Sequence, residues 1–146
     1  MAQTPDAETT NPSLKTYAGG CHCGAVRFEA ELDPHTGTKC NCSMCSKKGF
    51  YGAVVTPSRF RLLSGQGALG DYQFNTKMMH HQFCTRCGVH PFGRGHLEQL
   101  GGEYYSVNLN CIDELDLSEL KTMYWDGRHD NWAAGPSPSP YGPGGH

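Results

Sequence analysis

The amino-acid sequence predicts one all-β domain that is built from short antiparallel strands and flanked by flexible termini. The chain has 146 residues, which suits one domain and leaves little room for a second. Apolar and polar residues alternate with a period of two in several short segments, as in strands that bury one face. The 19 glycines and 9 prolines separate these segments and favour turns between strands.

The clearest strand pattern lies in residues 26–32, where apolar residues alternate with Arg27, Glu29 and Glu31. Short apolar or alternating runs predict further strands at residues 50–55, 59–63, 69–74 and 105–111. A glycine-containing turn at residues 64–67 joins the second and third of these runs. Only residues 113–122 carry leucines at a helical spacing, so the sequence predicts a single short helix.

The two ends of the chain differ in composition from its centre. Residues 1–13 are polar and contain two prolines, and residues 133–146 contain four prolines and four glycines. Segments of this kind bury too little apolar surface to offset the entropy of ordering, so both are predicted to be disordered. Residues 14–132 are the predicted folded domain.

Charge and hydrophobicity weaken several classes of function. Twelve basic residues face 14 acidic ones, so the chain has no basic field that would favour nucleic acid. No apolar stretch approaches the ~20 residues that cross a bilayer. The first 13 residues have neither a basic residue nor an apolar core, which argues against a signal peptide. A cytoplasmic protein without nucleic-acid or membrane partners is therefore expected.

Seven of the eight cysteines fall into three groups that suggest metal binding. The groups are Cys21 and Cys23; Cys40, Cys42 and Cys45; and Cys84 and Cys87. Cysteines two or three positions apart on a tight turn direct their sulfurs to one point, as a tetrahedral zinc site requires. The alternative is a disulfide framework or inert thiols, and a reducing compartment disfavours the disulfides.

The grouping divides into two sites of different character. The two pairs would form a closed, structural four-thiolate site, whereas the triple leaves one coordination position open, as in catalytic zinc sites. Three thiolates on a divalent cation leave a net charge of −1, which acidifies water poorly and favours a soft sulfur ligand. Alternatively, Cys111 or a histidine closes the second site, and the protein is a non-catalytic binding module with two structural zinc ions.

Three segments that carry these cysteines resemble the glutathione-dependent formaldehyde-activating enzyme family, also called the centromere protein V/formaldehyde-activating domain. They are residues 19–29 (GGCHCGAVRFE), 40–49 (CNCSMCSKKG) and 83–92 (FCTRCGVHPF). Residues 107–113 (VNLNCID) and 124–128 (YWDGR) are similar to later family segments and are weaker signals.

The resemblance implies a zinc-stabilised β-tent fold and carbon–sulfur lyase chemistry on glutathione adducts. The implied reaction forms S-hydroxymethylglutathione from formaldehyde and glutathione. By position, the resemblance makes Cys21, Cys23, Cys84 and Cys87 ligands of a structural zinc ion. It makes the remaining group, Cys40, Cys42 and Cys45, ligands of a catalytic zinc ion, with glutathione as co-substrate.

Residues that would contact the substrate carry weaker signals. Lys47 and Lys48 directly follow the triple and could attract the carboxylates of glutathione, although a solvated lysine pair would look the same. His80 and His81 are adjacent in a predicted strand, so at most one of them faces a given site. The pattern assigns no residue to proton transfer and does not predict an oligomeric state.

Overall fold

The computed structural model describes residues 13–141, so the predictions for residues 1–12 and 142–146 lie outside the described part of the chain. It contains ten strands and one short helix within that range. The strands are β1 Lys15–Gly20, β2 Arg27–Leu32, β3 Thr38–Cys40, β4 Gly52–Val55, β5 Phe60–Ser64, β6 Leu69–Tyr72, β7 Met79–Cys84, β8 Phe92–Leu97, β9 Gly102–Asn108 and β10 Met123–Trp125. Helix α1 is Ser43–Lys48.

The strands form two sheets, which confirms the predicted all-β class. A three-stranded antiparallel sheet has the order β1-β2-β5, and a seven-stranded sheet has the order β10-β3-β4-β9-β8-β7-β6. Within the described residues, the parallel pairing is that of β10 with β3, which brings Trp125 into register with Cys40. The larger sheet is therefore mixed at one edge.

An aromatic cluster packs the two sheets together. Phe28 and Phe60 come from the small sheet, and Phe92 and Tyr105 come from the large one. The ring centroids of Phe60 and Tyr105 are 4.1 Å apart, and those of Phe60 and Phe92 are 4.8 Å apart. Burying a side chain of this size contributes roughly 1.5–3 kcal/mol, so this cluster supplies much of the core.

The strand β2 shows why the alternating pattern was informative. Phe28, Ala30 and Leu32 are buried, whereas the residues between them are partly exposed. Residues 60–64 and 69–72 also form strands, but β5 belongs to the small sheet and β6 lies at the edge of the large one. The turn that joins them therefore carries the chain from one sheet to the other.

The predicted helix at residues 113–122 is wrong, because this segment contains only a 3-10 turn, Leu117–Glu119. Asp116 accepts a hydrogen bond from the backbone N–H of Ser118 and so caps a turn of this length. Leu115 and Leu120 pack against the core from an otherwise irregular chain. Their spacing reflects contact with the core rather than a helical face.

Part of the segment predicted to be disordered is described by the structure. Ser137 and Tyr124 exchange backbone hydrogen bonds of 2.7 and 2.8 Å in an isolated antiparallel bridge. Residues 132–134 form a 3-10 turn before this bridge. Among residues 13–141, no helix has both the length and the apolar character needed to cross a membrane.

Candidate functional site

The two predicted cysteine pairs come together in space as one four-cysteine cluster. The Cys23 sulfur lies 3.7 Å from that of Cys21 and 3.7 Å from that of Cys84. Together with Cys87, all four sulfurs lie within 4.8 Å of one another. The glycines that follow each pair, Gly24 and Gly88, have positive φ angles of 85° and 79°, which tighten the two turns.

These distances fit a metal ion and do not fit a disulfide. A disulfide joins its sulfurs at about 2.05 Å. Four sulfurs placed about 2.3 Å from a central zinc ion in a tetrahedron are about 3.8 Å apart. The four-cysteine cluster could therefore hold a metal ion, and it would tie the β1–β2 turn of the small sheet to the end of β7 in the large sheet.

The remaining three clustered cysteines form a second group at the start of α1. Cys40 ends β3, Cys42 caps the helix and Cys45 lies in its first turn. The Cys42 sulfur accepts a hydrogen bond from the backbone N–H of Cys45 at 3.4 Å, and the three sulfurs lie within 4.8 Å of one another. All three residues are only partly buried. This three-cysteine cluster could also hold a metal ion.

The thiols of the three-cysteine cluster perturb one another strongly. Hydrogen bonds from Cys40 and Cys45 lower the pKa of the Cys42 thiol far below its usual range. The same contacts, with burial, raise the pKa of the Cys45 thiol. One sulfur thus carries a negative charge that its neighbours share, and a cation would allow all three to be thiolates.

Helix α1 also directs a lysine toward a buried histidine. The Nζ atom of Lys48 lies 2.9 Å from Nδ1 of His81 and 4.3 Å from the centre of the Phe50 ring. Burial, and then the charge of Lys48, lower the pKa of His81 to about 4. Burial also lowers the pKa of Lys48, against the effects of Cys45 and Cys42. His81 is therefore neutral near pH 7.

A cleft of about 840 Å³ opens beside this group. We call it the tryptophan cleft, and its walls include Phe74, Met79, His81, Tyr104, Trp125 and Trp132. The ring centroids of Trp125 and Trp132 are 5.7 Å apart. The cleft is mainly apolar, and the polar residues on its wall are Asn75, Thr76, His81, His96, Gln99, Tyr104 and Ser106.

Gly127 connects the tryptophan cleft to the three-cysteine cluster. A Cβ atom at this glycine would lie 2.6 Å from the Cys40 sulfur and 2.7 Å from the Trp132 ring. The sulfur and the indole ring thus approach the same bare Cα position. Any larger residue would displace one of them.

A buried polar network fixes the loop that carries the three-cysteine cluster. Asn41 has no exposed surface and donates from Nδ2 to the Asp126 carboxylate at 2.8 Å. Arg128 donates its backbone N–H to the Asn41 side-chain oxygen at 2.9 Å and its Nε–H to the Asn41 carbonyl at 3.0 Å. The hydrogen bonds from Asn41 and then His129 lower the Asp126 pKa, and the network as a whole joins the cysteine loop to residues 126–128.

A second, smaller cleft of about 480 Å³ lies on the other side of Lys48. We call it the lysine cleft, and its walls are Met44, Lys47, Lys48, Gly88, Val89, His90 and Asn108. Lys47 is exposed, whereas Lys48 is partly buried. The Nδ1 atom of His90 is buried and accepts or donates no hydrogen bond among the described residues.

Other residues considered from sequence fall outside the two cysteine clusters. His22 is exposed, and His80 pairs with Asp71 on the face of β7 opposite to His81. The Cys111 sulfur contacts the His90 carbonyl at 3.9 Å and belongs to neither cluster.

Sequence reasoning missed Trp132 and Asp126. Asp126 lies in the segment 124–128 that resembles the family, but that segment gave no sign of its contact with Asn41, and Trp132 lies outside every segment that carried the resemblance.

Comparison with known proteins gives this arrangement a context. Residues 16–127 match the family described as glutathione-dependent formaldehyde-activating enzyme. The chain belongs to this family. The chain is similar to a Rhodobacter sphaeroides protein of known crystal structure. The two sequences are 32% identical, and the structures match with a TM-score of 0.65 over 74% of this chain and 98% of that one.

The match to the formaldehyde-activating family confirms the resemblance found in the sequence. It spans both cysteine clusters, the lysine pair and Gly127. It ends five residues before Trp132, which closes one side of the tryptophan cleft. The cysteine framework is therefore within the family region, whereas one wall of the cleft lies beyond it.

Proposed function

We propose that this chain is a zinc-dependent carbon–sulfur lyase that acts on glutathione adducts. A representative reaction is the formation of S-hydroxymethylglutathione from formaldehyde and glutathione. The observation that carries the proposal is a three-cysteine cluster whose Cys40 sulfur approaches Gly127 together with Trp132, a wall of the tryptophan cleft, in a member of a glutathione-dependent family. The polar network around Asn41 supports it, because such a network holds reactive groups in fixed positions.

The two cysteine clusters have different proposed roles. In the proposal, Cys21, Cys23, Cys84 and Cys87 bind a structural zinc ion, and Cys40, Cys42 and Cys45 bind a catalytic one. A zinc ion with three protein ligands supplies an open position that accepts a substrate sulfur and favours its thiolate form. The approach of the Cys40 sulfur to the same Gly127 position as Trp132, a wall of the tryptophan cleft, supports this division.

The lysine cleft is the proposed site for the peptide part of glutathione. Glutathione carries two carboxylates, and the ammonium of Lys47, which is exposed in the part of the chain that the structure describes, offers them a cation. Lys48 also lines the lysine cleft and contributes a second positive charge, and its Nζ atom contacts His81. Lys47 and Lys48 thus orient the substrate in the proposal, and the cysteine of glutathione is directed toward the three-cysteine cluster.

Proton transfer is assigned to Lys48, which His81 holds in place. When a thiol adds to an aldehyde, a carbon–sulfur bond forms, the carbonyl π bond breaks, and a proton moves from sulfur to oxygen. The ammonium of Lys48 can donate a proton to the developing alkoxide, and the resulting amine can take up the thiol proton, while neutral His81 holds the Lys48 Nζ atom in place through Nδ1. The reverse reaction runs the same transfers backwards.

Thiolate ligands need a reducing environment, so we place the enzyme in the cytoplasm. Its proposed partner is a small thiol adduct, with neither nucleic acid nor membrane involved.

The proposal is tested by the rate at which labelled formaldehyde exchanges with its glutathione adduct, measured by NMR. Wild-type protein should bind two zinc ions and accelerate exchange above the spontaneous rate. Cys42→Ser should retain one zinc ion and lose at least a hundredfold in rate. Cys111→Ser, the matched control, should keep both zinc ions and the rate. Acceleration that survives in Cys42→Ser would contradict the proposal, and two zinc ions without any acceleration would favour the binding module.

A further inference from the structure

We infer that the physiological substrate carries a large apolar group on the carbon that is joined to sulfur, and that the tryptophan cleft binds this group. The inference rests on the proposed function for the glutathione part of the substrate. It goes beyond that function because formaldehyde has no such group. An aromatic or medium-chain aliphatic aldehyde is the class of compound that would supply it.

The size of the tryptophan cleft does not match formaldehyde. The cleft measures about 840 Å³. Formaldehyde has two non-hydrogen atoms and occupies roughly the space of two water molecules, on the order of 60 Å³. A formaldehyde adduct would leave most of the cleft filled with water, in contact with aromatic walls. A large apolar group would cover more of that surface.

The chemistry of the walls favours an apolar ligand. Eight large apolar side chains are exposed among the described residues. Six of them lie on this one cleft: Val54, Phe74, Met78, Leu97, Leu100 and Trp132. Exposed apolar side chains that gather in one concave surface mark a binding site, whereas scattered ones do not. The charged peptide part of glutathione fits such walls poorly and fits the lysine cleft better.

The tryptophan cleft also lies where the carbon of the adduct would be. Trp125 is in register with Cys40, and the Trp132 ring approaches the same bare Gly127 as the Cys40 sulfur. The Trp132 indole donates to the Asp130 carboxylate at 2.7 Å, which fixes the ring at the cleft. A substrate sulfur near the three-cysteine cluster could therefore direct one substituent to each cleft, with Lys48 and His81 between them.

A small ligand is a better occupant of this cleft than a second copy of the chain. The walls come from separate segments and surround a concave space, and polar groups such as His81 and Tyr104 lie on them beside the apolar residues. Flat apolar faces suit protein partners, whereas concave apolar sites with a few polar groups suit small molecules.

The first test measures binding without turnover, using S-methylglutathione and S-hexylglutathione in isothermal titration calorimetry. Each buried methylene improves affinity by about fourfold at full burial, so the hexyl compound should bind at least tenfold more tightly. Trp132→Ala should remove most of this preference, and Trp132→Phe should restore part of it. Leu63→Ala, which truncates an exposed leucine outside the cleft, should leave it unchanged. Met78→Ala provides a second cleft variant if Trp132→Ala does not fold.

Equal affinities for the two compounds would overturn the inference. So would dimerisation that Trp132→Ala abolishes without any chain-length preference, because the cleft would then bind another copy.

A second test compares turnover of benzaldehyde and formaldehyde with glutathione. The inference expects kcat/KM at least tenfold higher for benzaldehyde, with Trp132→Ala reducing the benzaldehyde value alone. Faster turnover of formaldehyde than of every larger aldehyde would overturn it while leaving the proposed function in place. A chain-length preference in binding with no turnover of any aldehyde would instead defeat the proposed function.

Discussion

The four-cysteine and three-cysteine clusters use the same ligand atoms in different surroundings. In the four-cysteine cluster, Cys21 and Cys84 are buried, Cys23 is exposed and Cys87 is partly buried, and the cluster joins segments more than sixty positions apart. The three-cysteine cluster spans six residues and lies at the edge of the tryptophan cleft. The first arrangement is suited to holding the fold together, and the second to meeting a ligand. This difference in span and surroundings is the basis for the two roles proposed for the clusters.

The largest expected effect is the loss of folding when the four-cysteine cluster is broken. Cys84→Ser removes a fully buried sulfur at the junction of the sheets, and should lower the free energy of unfolding by at least about 4 kcal/mol. Cys45→Ser, in the other cluster, should cost far less stability. Chemical denaturation and zinc content measure both. Equal destabilisation by the two variants would remove the distinction between the clusters.

A methyl group at Gly127 should damage the three-cysteine cluster selectively. Gly127→Ala forces either the Cys40 sulfur or the Trp132 ring to move, since both lie within 2.7 Å of the added atom. We expect at least a tenfold loss of activity and weaker binding of one zinc ion, with the other retained. Gly67→Ala is the control, because open space surrounds that position. Unchanged zinc affinity in Gly127→Ala would show that the contact is unimportant.

The polar network should contribute to stability and activity together. Asn41→Ala leaves the Asp126 carboxylate and the Arg128 N–H without their buried partner, at a cost of about 1–3 kcal/mol. Activity should fall as well, because the loop between Cys40 and Cys42 loses its support. Asn110→Ala removes one exposed hydrogen bond and should change little. Thermal unfolding and the exchange assay test this, and full activity of Asn41→Ala would argue against a positioning role.

The smallest effect concerns the titration of His81. The charge of Lys48 helps to lower the His81 pKa to about 4, so Lys48→Met should raise that pKa. An unfolded histidine binds protons near pH 6.5, so native stability falls as pH drops from that value toward 4, and it should fall less in Lys48→Met. Lys47→Met, which removes a charge at an exposed position, is the control and should leave the His81 pKa unchanged. NMR titration of the imidazole reports the pKa, and no change in Lys48→Met would exclude the electrostatic contact.

The fold class was predictable because a strand that buries one face has apolar residues at every second position, as β2 does. The cysteine clusters were predictable because ligand spacing on turns is local. The crossing of the chain from the small sheet (β5) to the large sheet (β6) was not predictable, because the same turn sequence can join two strands of a hairpin or two strands of different sheets. Trp132 and Asp126 reach the site through long-range contacts that no local pattern records. The helix predicted at residues 113–122 was wrong because Leu115 and Leu120 contact the core from an irregular segment, and their spacing happens to match that of a helix.

The central claim is that the three-cysteine cluster binds a metal ion with a position open to a thiol. Replacing zinc with cobalt and recording absorption spectra during titration with glutathione tests it most directly. The account predicts that the cobalt bands change until one glutathione is bound per chain. The change should be absent in Cys42→Ser, in which the four-cysteine cluster keeps its own bands. Bands that glutathione leaves unaltered in a fully loaded wild-type protein would contradict the account.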